Sequence, residues 1–78
     1  MKIVKIWFEN PHIYGESEDG KVYRQSLLWY PALMKASDDE RTEYTFGMTG
    51  IHWRKLDEDV SFESFFDKDA EVILHDRK

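Results

Sequence analysis

Three histidines, a run of three carboxylates and five serines are the residues of this chain best equipped for chemistry. His12, His52 and His75 lack the H-x-x-x-H or H-E-x-x-H spacing that sets two imidazoles on one helical face. A metal site would have to combine His52 with Asp57 or Asp59, and a structural or solvated histidine is the preferred reading. In an extended segment Asp57 and Asp59 would point the same way, as carboxylates do around Ca²⁺ or Mg²⁺. The EF-hand spacing and its central glycine are absent, so turn and cap chemistry is the expected role of Asp57, Glu58 and Asp59. Ser17, Ser26, Ser37, Ser61 and Ser64 sit in no G-x-S-x-G elbow. With no cysteine in the chain, thiol catalysis is excluded. Gly47-Met48-Thr49-Gly50 spaces its glycines wrongly for a phosphate-cradling loop. No catalytic residue, metal or cofactor is therefore expected.

The aromatic residues are the stronger signal. Phe, Tyr and Trp make up 15% of the 78 residues. Each one buried removes roughly 150–250 Å² from water. A chain this short buries only about 60% of its unfolded surface, and without cysteines it has no disulfide to help. Trp7, Trp29, Tyr30 and Trp53 are read mainly as core, with an interface hot spot as the alternative. Trp29 and Trp53 are expected to pack together and lock the sheet to the helices.

These residues need elements to position them. Lys2 to Phe8 alternates, with Val4, Ile6 and Phe8 on one face and Ile3, Lys5 and Trp7 on the other. Asn10-Pro11 is a turn, and Ile13-Tyr14 centres a second strand. Asp19-Gly20 makes a hairpin, because glycine tolerates positive φ, and Val22 to Gln25 forms a third strand. A short helix is predicted from Tyr30 to Ala36, with Pro31 in its first turn. Ser37-Asp38-Asp39-Glu40 is a capping box opening a second helix, Asp38 to Tyr44. Gly47 and Gly50 flank a loop before a short fourth strand, Ile51 to Trp53. Leu56 to Val60 reads as a turn or bridge. Ser61 caps a third helix carrying Phe62, Phe65 and Phe66, while Val72-Ile73-Leu74 suits helix or strand. The fold class is α+β: a three-stranded antiparallel β-meander with a short fourth strand, packed on two or three short helices.

Charge is uneven along the chain. Residues 1–36 carry five basic and four acidic side chains, and residues 37–78 carry six basic and twelve acidic ones, within a total of −5. The acidic half disfavours a phosphate-binding surface and suits either a solvated face or a basic protein partner. No signal peptide and no membrane-length apolar run is recognisable, so a cytoplasmic, membrane-free protein is expected.

The hairpin, the block LLWYPALMKAS and the block GIHWRKLDEDVSFESFF together resemble the bacterial family known as domain of unknown function 2442. The resemblance covers about residues 1–66 of a single domain, 1–78, and leaves 67–78 as a C-terminal extension. It implies a small α+β fold with an antiparallel sheet and no established activity. It also implies pairing with another small protein in a toxin–antitoxin-like module. Some relatives carry a fused helix-turn-helix, for which too little chain follows Phe66 here.

The leading expectation is a protein–protein interaction module, the acidic member of such a pair. Its partner surface would draw on Trp29, Tyr30, His52, Trp53, Asp57, Glu58 and Asp59. The alternatives are a regulatory subunit that meets nucleic acid only within a complex, supported by Lys2, Lys5, Lys21 and Arg24, or a small ligand-binding domain. Edge strands of the meander also offer a route to a homodimer.

Overall fold

The computed structural model describes residues 2–66, and the backbone of 71–73. Three strands open the chain: β1 (Ile3–Glu9), β2 (His12–Ser17) and β3 (Val22–Ser26). They form the expected antiparallel meander. At the β2–β3 turn Gly20 takes φ +90° and donates its N–H to the Ser17 carbonyl at 2.9 Å. The Ser17 hydroxyl donates to the Asp19 carboxylate. That bond is the main reason the Asp19 carboxyl titrates below its ordinary range.

A bulge changes the facing of β1. Ile3 pairs with Ser17 and Lys5 with Glu16, so Val4 is the extra residue between them. A strand with one extra residue reverses its alternation at that point. Ile3 and Ile6 thus both reach the core, at 0% and 7% exposure, while Val4 is 55% exposed. The strict period-two assignment of Ile3 and Val4 is corrected accordingly.

The meander's third strand runs into a 3-10 turn, Leu27–Trp29, capped by the Ser26 hydroxyl. Helices α1 (Pro31–Lys35) and α2 (Asp38–Arg41) follow. Both lie within the predicted ranges, and both are shorter. The Ser37–Glu40 capping box is formed, with Ser37 N–H to Glu40 Oε1 at 2.9 Å and Glu40 N–H to Ser37 Oγ at 3.1 Å.

The fourth strand has its own sheet. β4 (Thr45–Phe46), β5 (Gly50–Trp53) and β6 (Glu58–Ser61) lie antiparallel in that order. The segment expected to be a turn through Val60 is therefore a strand from Glu58 onward. Ser61 then caps α3 (Phe62–Phe65) by accepting the Ser64 N–H. β7 (Glu71–Ile73) returns to β3 and completes a four-stranded sheet, β1-β2-β3-β7. Of the two options for Val72-Ile73-Leu74, the strand is realised over Val72 and Ile73; Leu74 and His75 lie outside the described residues.

One core serves both sheets and the helices. Ile3, Ile6, Ile13, Leu27, Leu33, Ile51, Trp53, Val60, Phe62 and Phe65 form a single buried cluster with Tyr23. Phe65 seats its ring on Gly15, where a Cβ would stand 2.9 Å from Phe65 Cε1. Burying such a ring contributes about 2–3 kcal/mol. Among the described residues, no helix is long and apolar enough to cross a membrane.

Candidate functional site

The second sheet gathers four of the candidate residues. β5 and β6 pair Gly50 with Ser61, Ile51 with Val60, His52 with Asp59 and Trp53 with Glu58. Alternation buries Ile51, Trp53 and Val60 and turns His52 and Asp59 outward. Thr45 of β4 lies opposite His52 on its other side.

His52 Nδ1 and Asp59 Oδ1 are 2.5 Å apart. A carboxylate on one ring nitrogen fixes the orientation of an imidazole and leaves the other nitrogen to meet a ligand. The pair borders an open groove lined by Thr45, Thr49 and Ser61. The groove can offer hydroxyls, one imidazole and one carboxylate to a polar group. Among the described residues, no three His, Asp or Glu side chains converge as metal ligands would.

Close approach holds the groove's floor. A Cβ on Gly50 would stand 2.6 Å from the Val60 carbonyl oxygen and 2.9 Å from Ser61 Cα. Both obstacles are backbone and cannot rotate away. Gly50→Ala is therefore expected to push β5 off β6 and cost about 2–3 kcal/mol. Chemical denaturation measures the loss, and the His52 ring resonances should shift with it.

The turn before β6 carries its own signature. Asp57 has φ 53° and donates its N–H to the Arg54 carbonyl at 3.2 Å. This left-handed conformation disfavours side chains, aspartate less than most. Asp57→Gly is expected to raise stability by about 0.5 kcal/mol, and Asp57→Val to lower it by about 1–2 kcal/mol. Thermal melts of the two variants test the opposite signs.

The three aromatic candidates separate. Trp53 is 0% exposed. Its Nε1 donates to the Arg41 carbonyl at 3.0 Å, and its ring meets Phe8 and Tyr44. It is a core residue and is removed from the expected partner surface, because it occupies an inward position of β5. Trp29, in contrast, is 65% exposed, beside Leu28 at 77%. The expected packing of Trp29 on Trp53 is not formed, because the 3-10 turn sends Trp29 outward. Tyr30 is half-buried and donates its hydroxyl to Gln25 Oε1 at 3.0 Å. Burial is the main cause raising its phenol above the ordinary value. Gln25 in turn donates to Ser64 Oγ at 2.9 Å, so Tyr30 ties the 3-10 turn to α3.

Asp57 and Asp59 are exposed and Glu58 is half-buried, on the edge strand β6 or just before it. Sequence reasoning missed two exposed apolar residues. Met48 is 93% exposed and Phe46 42% exposed, on the β4–β5 hairpin. Their one advance signal was a pair of apolar residues flanking Gly47. Arg41 was also missed. It is 5% exposed.

A family model described as Protein of unknown function (DUF2442) matches residues 3–71. No curated protein and no solved structure matches the chain. The match spans strands β1 to β6, the three helices and the His52–Asp59 pair, and the chain belongs to the family described as Protein of unknown function (DUF2442).

Proposed function

We propose that this chain is a protein–protein interaction module that receives a basic partner along β6, as the acidic member of a toxin–antitoxin-like pair of bacterial cytoplasmic proteins. The observation that carries the reading is a strand edge with no further strand beside it among the described residues and with three consecutive carboxylates at its start, Asp57, Glu58 and Asp59. A sheet edge offers unpaired backbone groups to an incoming strand, and the carboxylates select for Lys and Arg on it. Trp29 and Leu28 supply a second, apolar contact of the kind that dominates binding energy.

The test is co-expression with the product of the neighbouring reading frame, followed by capture at low salt. The partner is expected to co-purify and to be released as salt screens the carboxylates. Asp57→Asn with Asp59→Asn should weaken binding about tenfold while the fold persists, because both side chains are exposed and asparagine, like aspartate, tolerates the left-handed backbone at position 57. If no neighbouring product is retained at low salt, the reading is abandoned.

The outer face of the first sheet supports a second reading, nucleic-acid contact within such a complex. Trp7 stacks on Tyr14 with centroids 5.5 Å apart, and Lys5 Nζ lies 5.7 Å from the Trp7 centroid. Arg24 donates to the Tyr14 hydroxyl at 3.2 Å. Aromatic faces between cations are what single-stranded nucleic acid stacks on. Titrating the complex with an oligonucleotide at two salt concentrations decides it, and absence of salt-dependent binding ends this reading.

A further inference from the structure

We infer that β1 is a homodimerisation strand, which pairs antiparallel with β1 of a second copy about a two-fold axis through Trp7. β1 is an outer strand of its sheet, seven residues long, with β2 as its principal neighbour. This inference is independent of the proposed use of β6.

The register follows from three constraints. In an antiparallel pair, facing side chains lie on the same side of the sheet. The two cores stay on one side only if the paired residue numbers sum to an even value. The bulge between Ile3 and Lys5 breaks regular pairing at one end of β1. Pro11, which has no N–H, closes the other end. The regular stretch is therefore Lys5 to Glu9.

Trp7 is the midpoint of that stretch, and centring there uses all of it. Lys5 then faces Glu9 of the second copy, twice over, and Trp7 faces Trp7. Ile6 faces Phe8 on the core side. Centring on Ile6 instead sets Ile3 against Glu9 across the bulge. Centring on Phe8 sets Lys5 against the proline. Only the Trp7-centred pairing matches opposite charges at both ends, and a second copy is the partner that supplies this match by symmetry. Lys5 and Glu9 are both exposed and free of strand partners beyond β2 among the described residues.

Sedimentation equilibrium over a concentration range, at low ionic strength, tests the inference. The wild-type chain is expected to dimerise reversibly. Lys5→Glu and Glu9→Lys should each weaken the dimer about tenfold, since each replaces two attractive pairs by two repulsive ones. The double variant Lys5→Glu/Glu9→Lys should restore it, because the swapped charges match again. Circular dichroism confirms that each variant is folded. A second readout uses the cysteine-free background: Trp7→Cys should give an intermolecular disulfide under mild oxidation, and Val4→Cys should not. A wild-type chain that stays monomeric at high concentration overturns the inference. So does a double variant no better than the single ones.

Discussion

Replacing Arg41 by alanine is expected to cost about 3–5 kcal/mol, enough to unfold much of so small a domain. The guanidinium is buried and donates to three oxygens. Nε reaches the Leu33 carbonyl at 2.9 Å, one terminal nitrogen reaches Asn10 Oδ1 at 2.8 Å, and the other reaches the Met34 carbonyl at 3.2 Å. It also lies over the Phe8 ring, 5.0 Å from its centroid. The two carbonyls belong to α1, so Arg41 adds a donor to each at the end of that helix, beside the Ala36 N–H that the Leu33 carbonyl also accepts. Alanine removes all three of these bonds and empties the space beside Phe8. Arg41→Lys should recover less than half of the loss, because an ammonium cannot present three donors in one plane. Urea unfolding followed by tryptophan fluorescence measures both variants. A loss below about 1 kcal/mol for Arg41→Ala would contradict the assignment of Arg41 as the link between α1, α2 and the β1–β2 turn.

Trp53→Ala should be comparably severe, at about 3–5 kcal/mol, through loss of a fully buried indole. Trp53→Phe keeps most of the apolar contact with Phe8 and Tyr44. It still orphans the Arg41 carbonyl, so it should cost about 1–3 kcal/mol. Because Trp53 and Arg41 share Phe8 and a hydrogen bond, their effects should not add. A double-mutant cycle between Trp53→Phe and Arg41→Lys is expected to show coupling of at least about 0.5 kcal/mol. Calorimetric or urea-derived stabilities of the four proteins provide the measurement.

The proposed partner surface was legible in part. Asp57 and Asp59 could be expected at the surface because a run of three carboxylates is rarely buried. Their place on a strand edge was not legible, since Glu58 to Ser61 has too few apolar residues for a period to show. Nor did the sequence distinguish Trp29 from Trp53. Each stands beside a polar residue or near a proline, and each carries the same area to bury. His52 and Asp59 are seven residues apart, and their meeting depends on the tightness of the turn between β5 and β6.

What the sequence by itself determined was local. The Ser-x-x-Glu capping box, the Asp-Gly hairpin, the Ser61 cap and the meander's strands all arise from groups within a few residues of one another, whose geometry the backbone already constrains. The spacing of the histidines and the absence of cysteine are equally sequence properties. The tertiary structure decided what depends on distant neighbours. The bulge at Val4 turns Ile3 inward because the core offers it room beside Gly15. Asn10 and Arg41 meet across 31 residues. β7 returns to β3, and the β5–β6 pairing sets Trp53 inside and His52 beside Asp59. Which long-range contacts close is governed by the packing of the whole core, and no window of sequence contains it. For this protein, residue types were written locally, and which of them are buried or exposed was settled only when the two sheets closed on one core.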